Sequence, residues 1–152
     1  LELINRGHNF EKSVWAIEET HKRGIKTGAH IIFGLPGESR EEMMAEALIL
    51  SKLPLSTIKF HQLQIIKGTA MELQYQQNPS MFNLFGMEEY FNFMVDFLEQ
   101  LNPNFVVERF TGEAPPRYLA TPPWGNYRTD QLMVMLEKIL EQRNTWQGRL
   151  FS

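Results

Sequence analysis

The segment Ala29-His30-Ile31-Ile32-Phe33-Gly34-Leu35-Pro36-Gly37-Glu38-Ser39 narrows the possible folds more than any other part of the chain. An apolar strand, from about Thr27 to Phe33, stops at Gly34. Pro36 presets φ at the second position of the Leu35–Glu38 turn, and Gly37 supplies the positive φ that a type II turn requires. Ser39 with Glu42 makes a capping box for a helix over about 40–53, which Pro54 ends. A second strand follows over about 57–66 and closes at Gly68. Strand, helix and strand joined by short links form the βαβ unit of a parallel sheet.

The flanks extend this pattern. Asn9 caps a helix whose apolar Phe10, Val14 and Ile17 share a face, and Gly24 ends it. Residues 70–77 read as a short helix and 78–86 as a loop. Residues 87–101 form a helix that is apolar around much of its surface, and burial is expected. A third strand is expected over 105–110. The segment 111–127, with Pro115, Pro116, Pro122 and Pro123, is a long loop of the kind that often serves a site. Thr129 is expected to cap a last helix with Leu132, Met135, Leu136 and Ile139 on one face. The fold class is α/β.

Composition removes several function classes. The 152 residues are one domain's worth of chain, and the net charge of −3 is unlike that of a dedicated nucleic-acid binder. No apolar run is long enough to span a bilayer, so no membrane partner is expected. Residues 1–13 lack the apolar core of a secretory signal. There is no cysteine, which excludes disulfides, thiolate metal sites and a cysteine nucleophile within the chain. A cytoplasmic setting is the default. The chain opens on Leu1-Glu2-Leu3-Ile4 without an initiator methionine, as if inside an element already under way, so a fragment of a longer protein is expected.

Alternation assigns the strand faces. Ala29, Ile31 and Phe33 point one way, and His30 and Ile32 the other. Ile58 and Phe60 share a face, and Lys59, His61 and Leu63 take the opposite one. The apolar rows belong under the crossover helices, which leaves His30, Lys59 and His61 together on neighbouring strands. Such a face makes a poor hydrophobic core, because each unpaired polar group buried there costs a few kcal/mol. In a barrel it lines the interior, where sites form at the carboxyl ends of parallel strands. A lone strand histidine is more often a structural residue, and a lone Gly-Leu-Pro-Gly an ordinary turn. Three polar groups on one face shift the balance toward a site without identifying its ligand.

Taken together, the motifs Ile4-Asn5-Arg6-Gly7-His8-Asn9, Ala29–Ser39 and Ile58–Thr69, continued by Thr111–Arg128 and the tail Arg143–Arg149, resemble the second half of a radical S-adenosylmethionine (radical SAM) protein. The nearest resemblance is to an uncharacterised bacterial family related to oxygen-independent coproporphyrinogen oxidase and the catalytic subunit of Elongator. That family implies the C-terminal part of a partial (β/α)6 barrel, with a C-terminal strand-loop-helix extension. Residues 1–68 would be the last βα units of a half-barrel. Residues 69–152 would be the extension packed on it, and the cluster-binding N-terminal half would be absent.

The resemblance also implies chemistry. The family's [4Fe-4S] cluster, held by a cysteine triplet that this chain lacks, cleaves S-adenosylmethionine reductively to a 5′-deoxyadenosyl radical. The fragment alone is therefore expected to be inactive, with the cluster belonging to a full-length parent. By position, Arg6 matches an arginine facing the methionine carboxylate, and His30 stands where relatives carry a ribose-binding aspartate. Ile32 matches the residue packed on adenine, Gly34 the close approach of backbone to it, and Leu63 and Gln64 the adenine edge. Lys59 and His61 are candidates for substrate contact or proton transfer. Relatives act on tetrapyrroles or on transfer RNA, and both substrates stay open. The alternative is a stand-alone α/β module holding a phosphate at the Gly34–Ser39 turn. A half-barrel would leave a strand edge open, so self-association is expected.

Overall fold

The structure, a computed structural model, describes residues 7–112 and 114–152. Three parallel strands, β1 (Gly28–Phe33), β2 (Thr57–Gln62) and β3 (Val106–Arg109), form a sheet in that order. Among the described residues five α-helices accompany them: α1 (Phe10–Lys22), α2 (Arg40–Ser51), α3 (Ala70–Gln77), α4 (Met87–Gln100) and α5 (Thr129–Gln142). This is the α/β class expected, with α2 as the β1–β2 crossover. The strand of the C-terminal region extends the same sheet, pairing with β2 at Thr57↔Val106 and Ile58↔Val107.

Local chemistry sets most boundaries. Asn9 caps α1 by accepting from Lys12 N–H at 3.0 Å. Ser39 and Glu42 complete their capping box, with Ser39 N–H donating to Glu42 Oε2 at 2.8 Å and Glu42 N–H to Ser39 Oγ at 3.2 Å. The turn between them and β1 closes through Glu38 N–H to Leu35 O at 3.2 Å, with Gly37 at φ +82°. Two expectations shift. Arg128, not Thr129, is the N-cap of α5, and its backbone N–H donates to Gln131 Oε1 at 3.0 Å. β2 stops at Gln62 rather than running to Ile66, because the remaining apolar residues take another partner. Ile66 bridges antiparallel to Leu119, and Ala120 N–H donates to Ile65 O at 2.8 Å.

The core lies on one side of the sheet. Phe33 of β1 and Phe60 of β2 stack at 5.7 Å and meet Phe97 of α4 edge-on at 5.0 and 5.4 Å. Met43 and Ala47 of α2 and Tyr90, Phe93 and Met94 of α4 fill in around them, all buried. Each such side chain withdrawn from water contributes roughly 1.5–3 kcal/mol. α5 packs on α4 through Leu132 and Leu136. The last segment then returns to α4, where Gly148 N–H donates to Leu98 O at 2.8 Å and Leu150 N–H to Glu99 O at 2.7 Å. On the opposite face of the sheet His30 and Ile32 of β1 are exposed, Ile32 by 40%.

Candidate functional site

The open sheet face carries the histidines. His30 and His61 come from adjacent strands, two residues apart in register, and their rings stack at 5.9 Å with 25° between planes. Lys59 lies beside His30 in register and forms a 2.8 Å ion pair with Glu108 of β3. Ile32 is the register partner of His61. Burial holds His61 below the ordinary imidazole range, and the charges of Arg109, His30 and Lys59 lower it further. It is therefore mostly neutral near pH 7 and can accept a proton or a hydrogen bond. The Glu108 carboxyl is lowered by its bond from Lys59 first and from Thr57 second.

A cavity of about 790 Å³ lies beyond the carboxyl end of β2. Leu63 and Gln64, just past the end of β2, line it, with Gly112, Trp124 and Tyr127 from the proline-bearing loop and Arg128 from the cap of α5. Gln64 has no hydrogen-bond partner among the described residues, so its carboxamide offers both a donor and an acceptor there. Trp124 is fixed by donating from Nε1 to Phe85 O at 3.0 Å, which leaves its ring as wall.

Gly34, expected to let the backbone come close to adenine, is confined by its own chain. It is buried at φ +89°, and a Cβ would lie 3.3 Å from Asn83 O and 3.7 Å from the Phe85 ring. Its bare Cα thus serves close packing within the chain. Arg40 holds that packing loop in place. Its Nη1 donates to Asn83 O at 2.7 Å, its Nε pairs with Glu89 at 2.8 Å, and its guanidinium covers the Phe85 ring at 3.3 Å. Arg6 lies outside the described residues.

Sequence reading missed Gln62, Gly112 and Arg109. Gln62 is buried, and its carboxamide both donates to and accepts from the Gly112 backbone, at 3.1 and 2.9 Å. The signal was available: Gln62 continues the buried row Ile58, Phe60, where a polar residue needs a partner. Gly112 in turn packs against His61, where a Cβ would fall 2.7 Å from Nδ1.

Comparison with known proteins decides the family. The Radical_SAM C-terminal domain matches residues 55–141. This chain belongs to that family. Over 151 residues the radical SAM C-terminal domain chain is 36% identical to the uncharacterised protein MJ0486 of Methanocaldococcus jannaschii, covering 99% of itself and 46% of that protein. It is 36% identical to YtqA of Bacillus subtilis over 150 residues, covering 99% of itself and 46% of YtqA. The chain thus spans about half the length of these curated relatives. An N-terminally deleted Elp3 of Methanocaldococcus infernus superposes with a TM-score of 0.77 at 21% identity, over 97% of this chain and 34% of that one. That likeness is one of fold.

The family implies S-adenosylmethionine and an iron–sulfur cluster. With no cysteine, the chain has no thiolate for the cluster. Among the described residues no three histidine or acidic side chains gather to hold a metal ion. For the nucleotide the residues do fit: a half-exposed apolar Ile32, a neighbouring imidazole pair and an unpartnered carboxamide at the cavity mouth.

Proposed function

We propose that this chain is the S-adenosylmethionine-binding C-terminal portion of a radical SAM enzyme. The observation that supports it is the sheet face on which Ile32, His30 and His61 lie together, with Leu63 and Gln64 at the cavity beyond the end of β2. Ile32 packs against adenine, His30 hydrogen-bonds a ribose hydroxyl, and Leu63 and Gln64 border the base. Arg6 takes the carboxylate of the methionine moiety. Gly34 lets the backbone at the end of β1 come close to the base. When bound beside a cluster held elsewhere in the whole protein, the cofactor supplies hydrogen abstraction. Lys59 and His61 face the substrate, with His61 neutral and able to take up a proton. A tetrapyrrole or a transfer RNA is the substrate class in this reading.

The phosphate-module alternative has less to stand on. The backbone N–H groups of Gly34, Gly37, Glu38, Ser39 and Glu42 are already bonded to Met43, Met81, Leu35, Glu42 and Ser39. Glu41 and Glu42 also place acidic side chains in the first turn of α2, against an incoming anion.

Calorimetry with S-adenosylmethionine on the complete protein tests the proposal. Saturable binding is expected, weakened roughly ten- to hundredfold by Arg6→Ala, since charge-assisted pairs contribute about 1.5–3 kcal/mol. Absence of binding, or affinity unchanged in both Arg6→Ala and Ile32→Asp, overturns it.

A further inference from the structure

We propose that Arg109, Lys59 and His61 form a docking point for an anionic group, a carboxylate or a phosphate, carried by the substrate. The inference rests on the substrate-facing role given to this sheet face above, and names the chemistry of what the face takes.

The β2–β3 pairing slips between Ile58 and Lys59, so that Lys59 pairs with Arg109 and Glu108 is passed over. An extra residue of this kind bends its strand and re-aims side chains. Here it brings both Glu108 and Arg109 to bear on one row of β2. Glu108 pairs with Lys59 at 2.8 Å, while the charge of Arg109 acts on His61.

The resulting face is positively charged in excess. One carboxylate, Glu108, answers Lys59. The Arg109 side chain has no hydrogen bond or ion pair with any described residue, and neither do the two imidazoles. Like charges set opposite each other across neighbouring strands are destabilising. A guanidinium presents paired donors that match a carboxylate or phosphate, and an anion arriving there offsets the repulsion. S-adenosylmethionine does not supply that match at this point, because its one carboxylate is taken by Arg6 in the reading above. The anion therefore belongs to the other reactant. Beside the cluster, Gly112 closes on His61 and the cavity begins, so an anchored substrate would extend from the charged face into that space.

The test follows the ring signals of His61 by NMR in the intact protein, with His30→Gln used to assign them. Inorganic phosphate and acetate are the probes, each against sodium chloride of equal ionic strength. Saturable shifts and a raised His61 pKa are expected, because the added anion cancels the neighbouring cations. Arg109→Gln should weaken the effect about five- to tenfold, and Arg109→Lys should retain most of it. Saturation by phosphate alone assigns a phosphate, and saturation by acetate as well assigns a carboxylate-sized site. Shifts no larger than those with chloride, or an Arg109→Gln response equal to wild type, overturn the proposal. No S-adenosylmethionine is present, so this result and the calorimetry above fail independently.

Discussion

Gln62 and Gly112 hold each other by two hydrogen bonds: Gly112 N–H donates to Gln62 Oε1 at 2.9 Å, and Gln62 Nε2 donates to Gly112 O at 3.1 Å. Both residues are buried. This pair extends the β2–β3 contact past the last main-chain ladder and fixes the start of the cavity loop. Gln62→Leu strips both partners from a buried peptide unit and is expected to cost about 2–3 kcal/mol. Urea unfolding followed by circular dichroism measures it; a loss under half a kcal/mol would show that water replaces the amide.

Two glycines should respond in different ways. Gly34→Ala forces a side chain to φ +89° and against Asn83 O, and should lower stability by about 1–2 kcal/mol. At Gly112 no positive φ is involved, but the new Cβ would sit 2.7 Å from His61 Nδ1. Gly112→Ala is therefore expected to displace the His61 ring and its stack on His30, seen as shifted imidazole resonances. Unfolding curves and histidine NMR on both variants separate the effects.

Glu46 makes stability depend on pH. Burial, aided by the nearby Glu38 carboxylate, pushes its pKa up to about 7, well above the ordinary carboxylate range. The folded state therefore holds a proton that the unfolded state has already released. Stability is fully present below the unfolded value and declines as pH rises through the folded one. The loss between pH 4.5 and 8 is at most about 3 kcal/mol. Glu46→Gln should flatten that slope and be the more stable form at pH 8, as thermal melts across this range will show.

Among the described residues β1 pairs on one side only, leaving its outer edge and the half-exposed Ile32 available. Free strand edges recruit other chains. Light scattering on the chain by itself should show a mass above the monomer at high concentration, reduced by Ile32→Lys. A monomer throughout would mean that the edge is blunted.

Short-range chemistry was legible in the residues. Ser39 and Glu42 lie within one helical turn, and Leu35–Glu38 is a four-residue closure, so their hydrogen bonds depend on nothing distant. Alternation likewise sufficed to place His30, Lys59 and His61 on one face and Phe33 and Phe60 on the other, because side chains on a strand alternate regardless of its neighbours. The order β1, α2, β2 followed from the same local signals. The role of Gly34 was legible only as a need for glycine; which atoms crowd it was not, since Asn83 arrives from another loop.

Tertiary structure alone decided the rest. Gln62 and Gly112 are fifty positions apart, and Arg40 reaches Glu89 across forty-nine. β2 ends early because Ile65 and Ile66 find the loop at Leu119 and Ala120, and Arg109 joins the histidine face because the β2–β3 register slips at Lys59. A residue's local pattern specifies which way it points and which backbone angles it tolerates. Its partner across the sheet depends on how the whole chain satisfies its buried polar groups and fills its core at once, and no window of sequence contains that balance.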